Sequence, residues 1–426
     1  MSSYGRCYMS EMTGTKPMLI IGGGKAGGEA AATLRSEGFR GPMVLISQES
    51  SVPFGRPPLS KTYLRSEEDL SGWLVRPPEW YEAQDVELMP ESSVASIDVA
   101  SHTVALTSGR RLAYDKALIA TGGRNRVLRI PGAQLPGIHY LRTVAECDAV
   151  KADAVAGRRA VVVGMGFIGC EVAASLAQLG VQVTAMFPGK DPLDRVLGSE
   201  VGALIAAIHR SNGVRLMSGA EVTGFEGIDR LEAVGTADGD RTPCDLAVVG
   251  VGISPDTSAA DGSSIAQDNG ILVDERCRTS ATDIYAAGDV ANHLHPVFGR
   301  VRVEHYNSAQ HHGQAAARAM LGSASPFDYI HNFWSDQFEH TLQYVGHATK
   351  WDDFAIRGSI DDGRFIGFYR LAGVVRAAVG FDRGGDPEWE SKSEMAACAN
   401  LVARRAQPDH RALTDERTDL HSLAHT

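Results

Sequence analysis

A glycine-rich turn between a short apolar run and an alanine-rich run occurs twice in this sequence of 426 residues. The first turn spans residues 22–27 and follows the apolar residues 18–21, and the second spans residues 164–169 and follows residues 160–163. Both have the pattern G-x-G-x-x-G, in which backbone amides and the positive end of a helix can meet a pyrophosphate because no side chain blocks the approach. The repeat predicts two dinucleotide-binding βαβ units, with a pair of turns that serve packing alone as the alternative.

The two turns predict one resident and one exchanging dinucleotide. Two such ligands suggest a donor and a carrier, and we expect the carrier to be FAD, bound by the first turn. Glu49 lies beyond the second strand, where an acid usually binds the adenosine ribose, although a solvated loop carboxylate is the alternative. Asp289 follows Gly288 at a strand end and is expected to accept hydrogen bonds from the ribityl hydroxyls, although it could also cap a helix.

The second turn is expected to bind NADH or NADPH, but the ribose position beyond it lacks an acid. Phe187 ends the strand where an acid would specify NADH, and Pro188, Gly189 and Lys190 follow. The usual argument against a 2′-phosphate is therefore missing. Lys190 or Arg195 could favour NADPH, with ordinary surface cations as the alternative.

Further motifs accompany the turns in a fixed order. They are Arg56-Pro-Pro-Leu-Ser-Lys61, Ala120-Thr121-Gly122 followed by Arg124, Gly166-Phe167-Ile168-Gly169 with Glu171, Tyr285-Ala-Ala-Gly288-Asp289, Glu304-His305-Tyr306-Asn-Ser-Ala309 and Phe333-Trp334-Ser-Asp336. With this ordered set, from about residue 17 to about residue 380, the chain resembles the FAD-dependent ferredoxin and rubredoxin reductases of aromatic-oxygenase and P450 systems, which are relatives of apoptosis-inducing factor.

The resemblance and the order of apolar segments predict an α/β fold with two Rossmann-like dinucleotide-binding domains, as in glutathione reductase, and a C-terminal α+β domain. An FAD-binding domain is expected at residues 17–121 and 253–328, an NAD(P)H-binding domain at 122–252 and the C-terminal domain at 329–406. Short strands are expected in that last domain at 338–346, 354–360, 365–371 and 374–379, before a helix at 395–404. Residues 407–426 lack apolar periodicity and are expected to form a flexible tail.

The resemblance implies roles for individual residues. In relatives, the lysine matching Lys61 lies beside flavin N5 and pairs with the glutamate matching Glu171, and the arginines matching Arg56 and Arg124 contact FAD. A cation near N5 and N1 stabilises the reduced flavin. For Lys61 and Glu171 the alternatives are a surface lysine in a rigid loop and a first-turn acid that favours the helix dipole. Trp334 matches a tryptophan near the isoalloxazine ring, with a core tryptophan as the alternative.

The resemblance implies one set of residues that bind FAD and one set that bind NAD(P)H. Lys61 and Glu171 are the expected catalytic residues, and no metal ligands are expected. The expected FAD site contains Gly22, Gly24, Gly27, Glu49, Arg56, Lys61, Ala120, Thr121, Gly122, Arg124, Gly288, Asp289, Glu304, His305, Tyr306 and Trp334. The expected NAD(P)H site contains Gly164, Gly166, Phe167, Ile168, Gly169, Glu171, Lys190 and Gly252.

The chain departs from the family's pattern at three places. The family often has an acid before the arginine of its proline motif, where this chain has Gly55. Many ferredoxin reductases have Glu-Ser-Trp where this chain has Glu304-His305-Tyr306. The sequence of this chain is nearer the pattern of apoptosis-inducing factor. The segment at residues 187–190 resembles that branch's Phe-Pro-Glu-Lys, with the ribose-binding glutamate replaced by Gly189. These departures leave the nucleotide preference and the partner open.

Composition excludes other classes of protein. The net charge of −11 disfavours nucleic-acid binding. No apolar run reaches the roughly 18–20 residues that span a bilayer, and residues 1–16 lack the order of a signal peptide, which predicts a cytoplasmic protein without membrane contact. The cysteines form no C-x-x-C pair and are expected to be buried thiols. They are Cys7, Cys147, Cys170, Cys244, Cys277 and Cys398.

The resemblance implies a flavoprotein oxidoreductase that takes hydride from NADH or NADPH onto FAD and passes single electrons to a [2Fe-2S] ferredoxin, or a rubredoxin, serving an oxygenase or a P450. No protein nucleophile is required, which explains a proline-rich segment without cysteine. The alternatives are a reductase of oxygen, a quinone or monodehydroascorbate, and a regulatory flavoprotein like apoptosis-inducing factor. We expect a monomer or a homodimer. An acidic ferredoxin would require a local basic patch; the candidates are Arg65, Arg76, Arg300, Arg302 and Arg318.

Overall fold

The computed structural model describes residues 15–425, which form two compact units, each built from separate stretches of the chain. The first unit contains residues 15–55, Leu70–Arg124 and Pro255–Tyr329. The second contains Arg56–Asp69, Asn125–Ser254 and residues 330–425. The short strands Gly123–Asn125 and Ile253–Pro255 lie where the chain passes from one unit to the other. The proline-rich segment that carries Lys61 therefore belongs to the same unit as the second glycine turn.

A parallel sheet of five strands forms the centre of the first unit. Its strands, in spatial order, are Ile284–Ala286, Lys116–Ile119, Met18–Ile21, Met43–Ile46 and Val86–Met89. Successive side chains of a strand point to opposite faces of the sheet. Met18 and Ile20 therefore contribute to one apolar core, and Leu19 and Ile21 to another. Both faces of the sheet are buried, as short continuous apolar strands predict.

Helices cover one face of this sheet and a small antiparallel sheet covers the other. Helices Lys25–Ser36 and Tyr306–Met320 pack against each other and share the core of Met18 and Ile20. On the other face, Ile97 and Val104 join the core of Leu19 and Ile21. The antiparallel strands are Val94–Asp98, Thr103–Leu106 and Arg111–Ala113. The unit also contains helix Pro78–Ala83, strands Ile271–Val273, Ala291–His295 and Gly299–Val301, and 3-10 turns Ser71–Trp73, Ser258–Ala260 and Gly288–Val290.

The second unit contains a parallel sheet with the same succession of elements at its glycine turn. Its strands, in spatial order, are Arg215–Ser218, Gln182–Phe187, Arg159–Val163, Leu246–Val249 and Ile138–His139. Its helices are Val144–Asp153, Phe167–Gln178 and Asp194–Ser211, and its additional antiparallel strands are Val222–Glu226, Ala233–Thr236 and Arg241–Pro243. The strand–turn–helix–strand order predicted from the sequence is therefore present in both units.

The last part of the second unit is an antiparallel sheet of five strands packed against a helix. The strands, in spatial order, are Asn332–Gln337, His340–Gly346, Val374–Phe381, Arg364–Leu371 and Asp353–Ser359. Helix Glu394–Ala403 packs on the central strand. Four of these strands and the helix were expected. The first strand was not, although it carries the motif of residues 333–336. Among residues 15–425, no helix is both long and apolar enough to span a membrane.

The tail predicted to be flexible, residues 407–426, is folded as far as residue 425, so this prediction was wrong. It forms helix His410–Thr414 and 3-10 turn Leu420–His425. Arg357, which is buried in the sheet, donates hydrogen bonds to the carbonyl oxygens of residues 415, 416 and 418 at 2.7, 3.1 and 3.0 Å. A buried guanidinium requires such acceptors, and the tail supplies them through its backbone. Side-chain periodicity does not reveal that kind of anchoring.

Candidate functional site

The three glycines of the G-x-G-x-x-G pattern in the first turn, Gly22, Gly24 and Gly27, differ in the space around them. Gly22 has a φ of +126°, and a side chain there would overlap the carbonyl oxygen of Ala120. A side chain at Gly27 would overlap the carbonyl oxygen of Gly22. Gly24, which precedes helix Lys25–Ser36, has no heavy atom within 4 Å of its Cβ position. The turn is therefore tightly packed at both ends and open at Gly24, where the helix begins.

The second turn repeats this construction. Gly164 has a φ of +95° and packs on the carbonyl oxygen of Gly250, and Gly169 packs on that of Gly164. Gly166, which precedes helix Phe167–Gln178, faces open space. Neither helix has a side-chain cap at its first turn, so the backbone amides there are open to an anion. Both turns therefore fit the pyrophosphate of a dinucleotide, and the assignment of FAD to the first and NAD(P)H to the second stays a prediction.

Several predicted FAD residues lie at one edge of the first unit's sheet. Glu49 follows strand Met43–Ile46, and Ala120 follows strand Lys116–Ile119. These two strands flank the strand that precedes the first turn. Gly288 follows the strand beside Lys116–Ile119. Because parallel strands end at the same edge, the structure brings these residues together at the edge where ligands of open α/β sheets bind.

Gly55, which stands where relatives often have an acid, packs against Tyr306. A side chain at Gly55 would collide with the Tyr306 ring, and the Gly55 N–H donates to the Trp73 carbonyl at 2.8 Å. Trp73 meets the Tyr306 ring edge-on, with 5.9 Å between centroids. The same ring lies 4.6 Å from Nζ of Lys25 in the first turn, and His305 precedes the helix that Tyr306 begins. The space of the missing acid is thus taken by an aromatic residue of the predicted FAD site.

The Gly288–Asp289 turn is supported by a histidine that sequence reasoning missed. Gly288 has a φ of +76°, and its N–H donates to Nδ1 of His312 at 3.2 Å. His312 is buried, and this burial, with a smaller electrostatic effect of nearby His295, lowers its pKa to about 3. The neutral ring therefore accepts at Nδ1 and stabilises the turn that carries Asp289. Helical spacing places His312 on the buried face of its helix, but the sequence does not show what that face contacts.

Thr121 and Arg124 are both bound to Asp256, another residue that the sequence did not single out. Thr121 Oγ1 donates to the Asp256 carbonyl at 2.6 Å, and Arg124 Nε lies 2.7 Å from its carboxylate. The Gly122 carbonyl accepts from the Asp256 N–H at 2.9 Å. Asp256 is 7% exposed, whereas the Arg124 side chain is 59% exposed. The segment is therefore held in place by Asp256, and the contact of Arg124 with FAD stays a prediction.

Two of the five arginines considered as a docking patch have largely buried side chains that bind within the protein. Arg302 has an 8% exposed side chain, pairs with Glu304 at 2.7 Å and donates to the Asp289 carbonyl at 3.1 Å. Arg65 has a 17% exposed side chain and pairs with Glu67 at 2.7 Å. Their guanidinium groups stabilise neighbouring segments, and the docking role of the five candidate arginines stays a prediction.

A buried ion pair joins Lys61 and Glu171 in the second unit. Nζ of Lys61 lies 2.8 Å from Oε2 of Glu171, and the two residues are 8% and 3% exposed. Ser60 donates to the same oxygen at 2.5 Å, and Ser335 donates to Oε1 at 2.7 Å. A buried carboxylate is costly unless its lone pairs are matched by donors. Three donors therefore fix Glu171 in place, and the pairing that the resemblance implied is present.

The hydrogen bonds continue from Ser335 to His209, and neither residue was predicted. Gln337 donates to Ser335 at 3.3 Å, and its Oε1 lies 3.0 Å from Nε2 of His209. Burial lowers the pKa of His209, so the neutral ring donates at Nε2. Along this strand Ser335 and Gln337 alternate with Trp334 and Asp336, so Trp334 points to the opposite face. There its indole N–H donates to Asp336 at 3.1 Å.

The residues expected to contact NAD(P)H are more open than those at the first turn. Phe167 packs edge-on against Phe333, with 4.7 Å between centroids, but Ile168 is 47% exposed. Gly252 is exposed and has a φ of +95°, and Lys190 is exposed beyond the strand end. An exposed isoleucine at a helix start is available for contact with a ligand.

The described cysteines are all buried, and none forms a disulfide among residues 15–425. The closest to the proline-rich segment is Cys147, whose thiol donates to the Leu59 carbonyl at 3.1 Å. Burial raises the pKa of Cys147 to about 12, so the thiol is not a nucleophile at neutral pH. Cys7 lies outside the described residues. No group of three or more His, Cys, Asp or Glu side chains within residues 15–425 is arranged to hold a metal ion.

Comparisons with known proteins match nearly the whole chain. Residues 16–313 match the family model "Pyridine nucleotide-disulphide oxidoreductase" and residues 332–424 the model "Reductase C-terminal". Rhodocoxin reductase of Rhodococcus erythropolis is 37% identical over 84% of this chain and 85% of its own length. The ferredoxin reductase for the CYP199A2 system from Rhodopseudomonas palustris superposes with a TM-score of 0.90 at 32% identity, covering 96% of this chain and all of that one.

A second solved structure is the covalent complex of putidaredoxin reductase with putidaredoxin, with a TM-score of 0.89 at 32% identity over 96% of this chain and 98% of the other. The predicted fold class, the oxidoreductase class and the use of FAD with a nicotinamide nucleotide are confirmed by these matches. Given that the first family model covers more than half of its length and both of its nucleotide turns, the chain belongs to the pyridine nucleotide-disulphide oxidoreductase family.

Proposed function

We propose that this chain takes hydride from NADH or NADPH and passes single electrons to a [2Fe-2S] ferredoxin, or to a rubredoxin, that serves an oxygenase or a P450. When bound, FAD would supply the conversion between a two-electron hydride and single electrons. The names of rhodocoxin reductase and putidaredoxin reductase support this choice of acceptor. The observation that carries the proposal is the buried Lys61–Glu171 pair in a unit whose thiols are inert.

The chain's own residues would bind the nucleotides and fix one positive charge. The open amides at Gly24 and Gly166 would bind phosphates, as the space around both glycines allows. Lys61 would present its ammonium group at a single position because Glu171 holds it, and Ser60 and Ser335 hold Glu171. Positioned charge of this kind stabilises charge that develops in a reaction without a protein nucleophile.

We propose that four further residues contact FAD. Arg56 donates to the Arg142 carbonyl at 2.6 Å, which fixes its side chain for a contact with FAD. Trp334, Arg124 and Glu49 are proposed as further FAD contacts. We also propose the domain boundaries 17–121, 122–252, 253–328 and 329–406. We propose a cytoplasmic location, which cell fractionation would test, and a monomer or homodimer, which gel filtration would test. The buried reduced thiols are consistent with a reducing compartment.

Purification tests the proposal directly. The protein should carry tightly bound yellow flavin that NADH or NADPH bleaches under anaerobic conditions. Cytochrome c reduction should be rapid only after a ferredoxin is added. Protein that binds no flavin after reconstitution, or flavin that neither nucleotide reduces, would disprove the proposal.

Substitutions at the ion pair test the part played by the chain. Lys61→Met should slow flavin reduction by roughly a hundredfold and lower the flavin reduction potential, since a positioned charge is removed. Ser335→Ala should slow it by roughly tenfold, because the buried Glu171 loses one donor. Lys350→Met, at an exposed lysine, is the matched control and should change neither quantity. Equal rates and potentials in the Lys61 variant and the control would remove the pair from the mechanism.

The alternative functions differ in their acceptor. A regulatory flavoprotein would be reduced slowly by NADH and would stay reduced in air, with no effect of ferredoxin. A reductase of oxygen or a quinone would turn over rapidly without ferredoxin. A thiol-dependent reaction on persulfide or CoA substrates is disfavoured because Cys147 is buried with a raised pKa.

A further inference from the structure

The second nucleotide site has a gap where a ribose-binding acid is expected. In dinucleotide-binding units this acid lies about 20 residues beyond the last glycine of the turn. Gly189 occupies that place after Gly169, just past strand Gln182–Phe187. The Gly189 carbonyl accepts from the Gly219 N–H at 3.0 Å, which holds the residue at the carboxyl end of the sheet. The backbone is therefore positioned as expected, but residue 189 supplies no carboxylate.

The carboxylate of another residue, Asp194, lies in the space where a side chain of residue 189 would begin. Both carboxylate oxygens of Asp194 are 3.1 Å from the position that a Cβ of Gly189 would take. Asp194 is the first residue of helix Asp194–Ser211 and approaches the gap from the start of that helix. An acid side chain at residue 189 and Asp194 would compete for the same space. The absence of a side chain at Gly189 therefore leaves room for the Asp194 carboxylate.

The Asp194 carboxylate is held by the loop before its helix. Oδ2 accepts from the backbone N–H of Lys190 at 3.1 Å and of Asp191 at 3.4 Å. Leu193 adopts a φ of +59°, and its N–H donates to the carbonyl of Met165, inside the second glycine turn, at 3.1 Å. The helix start is thereby tied to the turn that would bind the pyrophosphate. The other oxygen, Oδ1, accepts no hydrogen bond from any residue in the range 15–425.

We propose that Asp194 replaces the missing ribose acid and makes this site select NADH over NADPH, an inference that rests on the proposed function. A ribose with two free hydroxyls can donate to Oδ1, which is fixed and open. A 2′-phosphate would meet a carboxylate at the same position and be repelled. Lys190 and Arg195 are the opposing cations, but both are exposed and their charges are screened by solvent.

The test compares NAD⁺ with NADP⁺ on the oxidised holoenzyme by isothermal titration calorimetry, a readout independent of ferredoxin and of turnover. The wild-type protein should bind NAD⁺ at least roughly tenfold more tightly than NADP⁺. Asp194→Asn keeps an oxygen for the two loop amides but loses the charge, and it should remove most of that preference. The double variant Asp194→Ser with Gly189→Glu should restore it, because the shorter serine leaves room for residue 189 to supply the carboxylate.

Glu200→Gln removes an exposed negative charge from the same helix and should leave the preference unchanged. If Asp194→Asn lowers the melting temperature so far that binding is unmeasurable, Asp194→Ser keeps an acceptor for the loop amides and takes its place. A wild-type preference for NADP⁺, or an unchanged ratio in the Asp194 variants, would overturn the inference while leaving the proposed reductase intact. Failure of both nucleotides to bind would instead overturn the proposed function, and this inference with it.

Discussion

The two glycine turns have the same backbone construction but different surroundings. At the first, Tyr306 covers Lys25, Gly55 packs under the Tyr306 ring, and buried His312 supports the Gly288 turn. At the second, Gly166 is exposed and Ile168 is 47% exposed. A ligand seated among buried aromatic and polar residues exchanges slowly, whereas a ligand at an open turn exchanges readily. If FAD occupies the first turn and NAD(P)H the second, as we propose, the same phosphate-binding turn serves a resident cofactor in one unit and a substrate in the other.

The largest expected effect comes from adding a methyl group to the last glycine of each turn. In both Gly27→Ala and Gly169→Ala the new Cβ would overlap a backbone carbonyl oxygen that cannot move aside. Each should cost roughly 3 kcal/mol or more in free energy of unfolding. Gly27→Ala should be purified colourless, whereas Gly169→Ala should retain flavin and lose nucleotide binding.

Absorbance at 450 nm after desalting and calorimetric titration with NAD⁺ separate these outcomes. Gly72→Ala is the control, since nothing lies within 4 Å of its Cβ position and its φ is not positive. Retention of flavin by Gly27→Ala would show that the first turn is not the flavin site.

The second effect is a pH dependence at the Gly288–Asp289 turn of the first unit. Burial lowers the pKa of His312 to about 3 from an ordinary value near 6.5, so the folded protein holds the ring neutral. The stabilisation is complete above pH 6.5 and declines as the pH falls towards 3, because the unfolded chain takes up the proton first. Between pH 8 and pH 5 this group should lower the free energy of unfolding by about 2 kcal/mol.

Flavin fluorescence, which rises on release, should increase over the same pH range. His312→Gln keeps an acceptor for the Gly288 N–H without a titrating ring, so both pH dependences should be flatter. His102→Asn is the control, because that residue is partly exposed and its φ of +51° suits asparagine. A His312→Gln variant with the wild-type pH dependence would assign the acid lability to another group.

The comparison also shows which parts of this molecule can be predicted from sequence. Both turns, their flanking strands and four of the five C-terminal strands were predicted, because local periodicity and glycine spacing determine them. The Lys61–Glu171 pair came from the resemblance. The strand of residues 332–337 was missed, since its buried face includes serine and glutamine, which bind Glu171 and His209 rather than apolar side chains.

The residues that escaped prediction act across long distances in sequence. Asp256 binds Arg124 from 132 positions away and Ser335 binds Glu171 from 164 positions away. Asp194 fills a space that only the folded loop defines. Arg357 anchors a tail through backbone carbonyls. Such contacts depend on which atoms the fold brings together, and a single sequence carries no local signal for them.

The last prediction concerns the exposed side chain of Ile168 at the second turn, where we expect a small effect on nucleotide binding. Ile168 exposes 47% of its surface, so replacing it with serine removes little buried area and should change the free energy of unfolding by less than about 0.5 kcal/mol. A bound nucleotide would cover this side chain, and losing that apolar contact should weaken NAD⁺ binding by roughly fivefold, the equivalent of about 1 kcal/mol.

Ile228→Ser, at an isoleucine that is 85% exposed, is the matched control and should alter neither stability nor binding. Thermal melting and calorimetric titration of the two variants are sufficient for the comparison. Flavin content should be the same in both, because the change lies at the second turn only. Weaker binding in Ile168→Ser without a change in stability would mean that this apolar side chain is exposed for its ligand. Equal binding in both variants would mean that the open second turn holds its nucleotide by the phosphates and the ribose alone.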